Sequence, residues 1–245
     1  MNYKNFANLY DSFMDDIDYK LWAEFIDKKM GLKPWSNILE LACGTGNLTQ
    51  HLSDKYNILA MDNSQEMLNI AYSKFFTKKN IKTIKGDMKS FEFARKFDAA
   101  ICACDSLNYI EPINVDTVFK NVSNHLKEGA KFIFDINSEY KLINICGNNF
   151  FSDENEYAVY FWQNELQLDK SRVIFHIDFF KKTEDDKYFR FSEEHIQYIH
   201  SVNSIVRALE LNNFHNIEIK SDYKNVDYKK DSERITFIAE RKKYD

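Results

Sequence analysis

No stretch of this 245-residue chain approaches the ~20 consecutive apolar residues that a membrane-spanning helix requires. The N-terminus, Met1-Asn2-Tyr3-Lys4-Asn5-Phe6, lacks the apolar core of a secretory signal, so a cytosolic location is expected. Positive charge is not in excess either. The net charge of −5 argues against extended contact with a phosphate backbone, so neither nucleic acid nor membrane is expected as a partner. Cysteine is scarce: Cys43, Cys102, Cys104 and Cys146 do not make a disulfide framework in a chain of this size. Three of them lie in or beside apolar runs, where free Cys packs as a small hydrophobe. Cys102-Ala103-Cys104 is one residue short of a C-x-x-C pair and has no second pair, so no metal is expected. Internal repeats and low-complexity segments are also missing. What the chain does hold is apolar material, 44% hydrophobic and 16% aromatic. That suits one large domain, or one domain with a substantial insertion.

Residues Asn5 to Met30 read as one helix, with Phe6, Leu9, Phe13, Ile17, Leu21 and Phe25 forming an apolar stripe that Gly31 and Pro34 end. Strands and helices then alternate. Strand Asn37–Leu41 leads to a helix from Asn47, and strand Tyr56–Met61 to helix Ser64–Phe76. Strands Ile81–Lys85 and Phe97–Cys104 follow, then helix Asn114–Lys127, with Gly129 as its C-terminal cap, and strand Lys131–Ile136. Asn63 with Glu66 resembles a capping box at the second of these helices. Such alternation predicts a doubly wound, mostly parallel α/β sheet with helices on both faces. The pattern then changes. Tyr157–Trp162, Ser171–Lys181 and Lys187–His200 are aromatic-rich, period-two runs that predict an inserted antiparallel meander. Helix Val202–Leu211 and strands Ile217–Tyr223 and Arg234–Arg241 complete the chain. The expected division is a core of residues 1–145 and 201–245, in which 1–33 form a helical cap, and an inserted subdomain of residues 146–200.

Chemistry concentrates at four strand ends. The first strand ends in Glu40-Leu41-Ala42-Cys43-Gly44-Thr45-Gly46, where the glycines permit a tight turn and close approach of a ligand. A dinucleotide fingerprint G-x-G-x-x-G wants a third small residue where Thr49 stands, and seldom has an acid before the turn. Glu40 is instead placed to attract a ligand ammonium. Asp62 ends the second strand, where a carboxylate can accept both hydroxyls of a ribose. Gly86-Asp87-Met88 follows the third, where a carboxylate can take an adenine amino group. Cys104-Asp105-Ser106-Leu107-Asn108-Tyr109 follows the fourth. A parallel sheet brings its C-terminal strand ends to one edge. Together these groups match an adenosyl-amino-acid, S-adenosylmethionine (SAM), better than NAD.

These runs, with Met61-Asp62-Asn63-Ser64-Gln65-Glu66-Met67-Leu68, Phe97-Asp98-Ala99-Ala100 and His125-Leu126-Lys127-Glu128-Gly129-Ala130, resemble the class I SAM-dependent methyltransferases over essentially the full chain. Asn5-Phe6-Ala7-Asn8-Leu9-Tyr10-Asp11 and the Cys104-to-Tyr109 run look like a subgroup found in Gram-positive bacteria. The resemblance implies a seven-stranded sheet with the last pair antiparallel and the meander inserted after the fifth strand as a lid. It implies that Glu40 faces the SAM ammonium, that Gly44 and Gly46 let the methionine portion approach, and that Asp62 binds the ribose. Met67 would pack near the adenosine, Asp87 and Met88 would hold the adenine, and Cys104 would offer its carbonyl to the ammonium. Ala42, Asn63 and Tyr10 complete the implied cofactor set. Plain structural roles stay open for single residues: Asp62 as a helix-start acid, Asp87 as a turn residue, Cys104 as a small wall residue, Tyr3 and Tyr10 as core aromatics.

The run after the fourth strand lacks the Pro-Pro-aromatic or Pro-Cys elements used on nucleobases. Asp105, Ser106 and Asn108 offer small polar contacts suited to orienting a hydroxyl, amine or carboxylate, and Asp105 and Asn108 are with His176 the candidate catalytic residues. From the insert, His176 is the leading candidate base, followed by His195. Tyr109, Trp162 and Arg190 join Ser106, His176 and His195 as expected contacts to the acceptor. Aromatic walls with few polar groups suit a small molecule, and such rings attract cations. The expected activity is methyl transfer to a nitrogen or oxygen of a small molecule by a monomer or homodimer. The alternatives are methylation of tRNA or protein, or a catalytically silent SAM-binding protein.

Overall fold

The structure, a computed structural model, describes residues 7–14, 16–185 and 187–243. Tyr3, Asn5 and Phe6, named above, lie outside the described residues. The first helical stretch is two helices, α1 (Ala7–Phe13) and α2 (Tyr19–Met30), where the spacing predicts one. Asp18 restarts the helix by accepting the Leu21 backbone N–H at 2.8 Å, as an N-cap carboxylate does. The apolar stripe is split between two partners. Leu9 and Phe13 pack with the inserted segment, whereas Trp22, Phe25 and Ile26 pack under the main sheet and Leu21 is exposed. Gly31, at φ 62°, ends α2 as expected.

Five strands follow: β1 (Asn37–Leu41), β2 (Asn57–Asp62), β3 (Ile81–Lys85), β4 (Phe97–Cys102) and β5 (Leu126–Asn137). Helices α3 (Asn47–Leu52), α4 (Gln65–Phe75) and α5 (Val115–His125) connect them. Near-continuous apolar runs such as Ile38-Leu39 and Phe132-Ile133-Phe134 suit strands buried on both faces. After the insert come α6 (Val202–Leu211), β10 (Phe214–Ser221) and β11 (Arg234–Arg241). The seven-stranded sheet has the order β10-β11-β5-β4-β1-β2-β3, parallel throughout except that β11 runs against both its neighbours. One face packs on α5 and α6 through Phe97, Phe119 and Phe237; the other packs on α2, α3 and α4 through Ile38, Ile101 and Phe75. No helix among the described residues is long and apolar enough to cross a membrane.

Three local expectations need correction. Ser64, not Asn63, caps α4: its hydroxyl accepts the Met67 N–H at 3.2 Å and donates to Glu66 at 3.1 Å. Gly129 does not cap α5, because β5 already begins at Leu126, which pairs with Phe97; Gly129, at φ 73°, lies within the strand. The insert holds four strands rather than three: β6 (Phe150–Glu154), β7 (Ala158–Gln167), β8 (Arg172–Lys182) and β9 (Tyr188–Tyr198), in that order across an antiparallel sheet. β6 escapes a periodicity argument because this edge strand is exposed on both faces except at Phe151. Val173, Phe175, Ile177 and Phe179 of β8 form the inner face of this second sheet, where Leu9 and Phe13 join them.

Candidate active site

The C-terminal ends of β1 to β4 and the inner face of the second sheet enclose one cavity of about 560 Å³. Glu40 reaches it from the end of β1, Ala42 and Gly44 from the turn that follows, and Asp62, Asn63 and Met67 from the end of β2 and the start of α4. Asp87 and Met88 follow β3, and Cys104, Asp105, Ser106 and Tyr109 follow β4. Tyr10 comes from α1, and Trp162 and His195 from the second sheet. Parallel pairing explains the convergence, since Leu41 stands beside Met61 and Asp62 beside Lys85 in register.

Left-handed residues stand at alternate positions of the turn after β1: Ala42 at φ 52°, Gly44 at φ 56° and Gly46 at φ 83°. The two expected glycines differ in what they do. A Cβ at Gly44 would meet nothing within 4 Å, so its open side is cavity, whereas a Cβ at Gly46 would overlap the Phe75 ring. Gly46 therefore permits α4 to pack and does not line the cavity, which corrects its placement as a ligand contact. Asp62 pins the turn, accepting the Gly44 N–H at 2.8 Å with one oxygen and the Ser64 N–H at 2.8 Å with the other. Glu40 is 2% exposed and accepts the Thr49 hydroxyl at 2.7 Å. Burial, with the Asp62 charge adding to it and Thr49 opposing, pushes its carboxyl up to about 7. The residue that breaks the dinucleotide fingerprint thus orients the acid before the turn.

Beyond β4, Cys104 at φ 57° and Asp105 at φ 47° are consecutive left-handed residues, a costly arrangement that persists only where surroundings over-determine it. Here they do. The Asp105 N–H donates to Asp135 at 2.9 Å, and the Asp105 carboxylate takes Arg234 at 2.9 Å and the Gln197 amide at 2.6 Å. Asp135, wholly buried on β5, also receives the Tyr223 hydroxyl at 2.6 Å and Arg234. Burial raises its carboxyl above the ordinary range while Arg234 opposes that shift. Arg234 itself lies 5.0 Å from the Trp22 ring. Asp135, Gln197 and Arg234 were not singled out from sequence; the available signal was an acid within the apolar run Phe132-Ile133-Phe134-Asp135-Ile136. Burial likewise raises the Cys104 thiol, which suits a wall residue rather than a nucleophile.

Three expected residues lie elsewhere. Asn108 is fully buried and spent on the backbone: its amide donates to the Asn137 and Tyr198 carbonyls, and its oxygen accepts the Asn137 N–H. It ties the β4 turn to β5 and β9 and does not line the cavity. His176 and Arg190 are on the outer face of the second sheet. His176 sits between Glu165 at 3.8 Å and Glu194 at 3.4 Å, and Arg190 pairs with Asp178 at 2.9 Å, all partly solvated. The apolar face of β8 turned inward, so the polar face that drew attention in the sequence faces away from the cavity. His195, on the inner face of β9, is buried beside Glu193 at 3.1 Å and edge-on to Tyr109. Ser106 lines the cavity while its hydroxyl donates to the Ala103 carbonyl at 2.8 Å.

Known proteins resemble this chain along its length. Residues 38–129 match a methyltransferase domain family. "Putative methyltransferase YqeM" of Bacillus subtilis (strain 168) is 32% identical, the match covering 99% of this chain and 98% of that protein. The crystal structure of an S-adenosylmethionine-dependent methyltransferase from Clostridium acetobutylicum ATCC 824 superposes with a TM-score of 0.87 at 38% identity, covering 98% of this chain and 99% of the other. The sugar N-methyltransferase KedS8 from Streptoalloteichus shares the fold, with a TM-score of 0.78 at 19% identity over 96% of this chain and 93% of its own. The four converging strand ends and these full-length likenesses agree: the chain belongs to the class I SAM-dependent methyltransferases, enzymes that use SAM as methyl donor.

Proposed function

We propose that this enzyme transfers the methyl group of SAM to a nitrogen or oxygen of a small molecule held beneath residues 146–200, which act as a lid. The observation that supports it most is the continuous cavity, with strand ends for a floor and the aromatic inner face of the second sheet for a roof. The floor suits SAM on the structure's own terms, because the space beside Gly44 that a side chain would fill is open and two acids stand at its edges. Bound there, SAM supplies an electrophilic methyl group on a sulfonium whose departure leaves a neutral thioether. Glu40 would face the ammonium with the Cys104 carbonyl, Asp62 would accept the ribose hydroxyls, and Asp87 with Met88 would hold the adenine. Ala42, Asn63, Met67 and Tyr10 would close around the ligand.

Tyr160, Trp162 and Phe175 of the roof, with Tyr109 from the segment after β4, exclude water and favour a cationic group. Ser106, Asp105 and Gln197 supply polar contacts to orient the acceptor. His195, backed by Glu193, is the group placed to accept a proton; a general base contributes of order 10²–10⁴ where the nucleophile needs one. Positioning alone supplies much of the remainder. That a sugar N-methyltransferase has the same architecture supports an acceptor of this size. The test is to incubate the enzyme with cell extract and SAM labelled in its methyl group. Label in the dialysable fraction is expected. Label found only in RNA or in protein would overturn the reading.

A further inference from the structure

Asp11 belongs to α1 and to none of the strand ends, yet its carboxylate is the centre of a closed network. One oxygen accepts the Thr45 hydroxyl at 2.6 Å and the Asn47 amide at 3.0 Å. The other takes the Lys74 ammonium at 2.6 Å, and the same ammonium donates to the Asn47 side-chain oxygen Oδ1 at 2.6 Å. Thr45 and Asn47 flank Gly46 in the turn after β1, and Lys74 is on α4. The turn itself holds three left-handed residues, including the non-glycine Ala42. Such backbone keeps its shape only when several contacts enforce it. Asp62 enforces it at Gly44; Asp11 enforces it at Thr45 and Asn47.

The same short helix also touches the roof. Phe13 stands edge-on to Tyr160 at 5.0 Å and lies 6.3 Å from Phe179, both of which line the cavity. The Asn155 amide donates to the carbonyl and hydroxyl of Ser12, each at 3.2 Å. Seven residues are too few to hold a helix by themselves in water, so α1 owes its place to these two sets of partners.

We propose that Asp11 is a positioning residue: it holds the turn Gly44–Asn47 in the shape that receives SAM and, through α1, couples occupancy of that turn to the seating of the roof over the acceptor. The proposal rests on the reading of the turn as part of the SAM site. Coupling of this kind is reciprocal, so SAM orders α1 by the same factor that an ordered α1 tightens SAM. SAM at the turn then favours the seated roof, and a seated roof favours SAM.

The experiment measures SAM affinity by calorimetry for the wild type, Asp11→Ala, Thr45→Val and the double variant. Melting temperatures without ligand, and amide exchange across residues 7–13 with and without S-adenosylhomocysteine, accompany it. Asp11→Ala is expected to weaken SAM about tenfold, a factor equal to about 1.4 kcal/mol. Thr45→Val should lose part of that, and the double variant no more than Asp11→Ala alone. Partly exposed ion pairs add little to stability, so melting without ligand should stay near the wild-type value. S-adenosylhomocysteine should slow exchange in α1 of the wild type and not of Asp11→Ala. Wild-type affinity in Asp11→Ala, additive losses in the double variant, or exchange in α1 indifferent to ligand would each overturn the proposal. Should Asp11→Ala not fold, Thr45→Val binding SAM as tightly as the wild type would overturn it equally. A wild type that fails to bind SAM would instead sink the cofactor-site reading beneath it.

Discussion

Glu40 offers a test in which proton linkage reports the ligand directly. Its carboxyl is almost wholly buried and is pushed from 4.5 up to about 7, chiefly by burial. An acid facing an ammonium must be ionised to attract it. Well below pH 7 the enzyme therefore loses affinity for SAM at up to about tenfold per pH unit, and binding near pH 6.5 releases about three-quarters of a proton. Above about pH 8 the ligand's own α-amine deprotonates and affinity falls again. Glu40→Gln keeps an acceptor for the Thr49 hydroxyl but cannot ionise. It should abolish the acidic limb and weaken SAM at pH 7.5 by about 1.5–3 kcal/mol, the worth of a hydrogen bond to a charged partner. Stability runs the other way. Between about 4.5 and 7 the folded protein keeps a proton that the unfolded chain has already lost, so stability falls as pH rises through that window and is level above it. Glu40→Gln should remove that slope and stabilise the ligand-free protein at pH 7.5 by up to about 3 kcal/mol. Calorimetry in two buffers of different ionisation heat, from pH 6 to 8.5, measures the proton release. An acidic limb that survives in Glu40→Gln, or its absence in the wild type, would refute the reasoning.

Asp62→Asn should weaken SAM by about 2–3 kcal/mol, because its NH₂ must face either the Gly44 or the Ser64 N–H donor. An unchanged dissociation constant in a folded variant would show that this strand end does not meet the ligand. The two turn glycines should separate: Gly46→Ala collides with Phe75 and lowers melting, at about 1–3 kcal/mol for overpacking. Gly44→Val, which points into open space, loses SAM affinity more than stability, and near-native binding would contradict close approach of the ligand there. Asn108→Ala leaves buried backbone groups unpaired and should cost about 3 kcal/mol in denaturant unfolding without altering SAM affinity. A stable variant that no longer transfers methyl would return Asn108 to the catalytic group.

Legibility varied with the range of the physics involved. Helix Val202–Leu211 is found where its periodicity puts it, and the Glu40-to-Gly46 turn is recognisable because glycine position and strand alternation are local matters. In β8 alternation separates Phe175 from His176 but does not say which face turns inward. Packing of Leu9, Phe13 and Leu142 against Val173, Phe175 and Phe179 decides that, and it buries the plain apolar face. Asn108 shows the same limit at one residue: a polar side chain beside a site looks alike whether it meets a ligand or the backbone carbonyl of Tyr198, ninety positions away. The break between α1 and α2 was carried by Asp18, one cap within a stripe whose spacing continues unbroken.

By itself the sequence determined the doubly wound sheet and which acids stand at the ends of β1 to β4, because parallel strands of like length must present their C-terminal ends together. It determined SAM rather than NAD through one acid and one missing small residue. Only the tertiary structure decided how the charges are shared. Asp105 and Asp135 meet at one guanidinium contributed by Arg234, from 129 and 99 residues away, and Asp11 meets Thr45, Asn47 and Lys74 across 34 to 63 residues. A local pattern carries no record of such distances. The strength of an ion pair or hydrogen bond depends on separation through space and on surrounding water, and both are set only when the layers close.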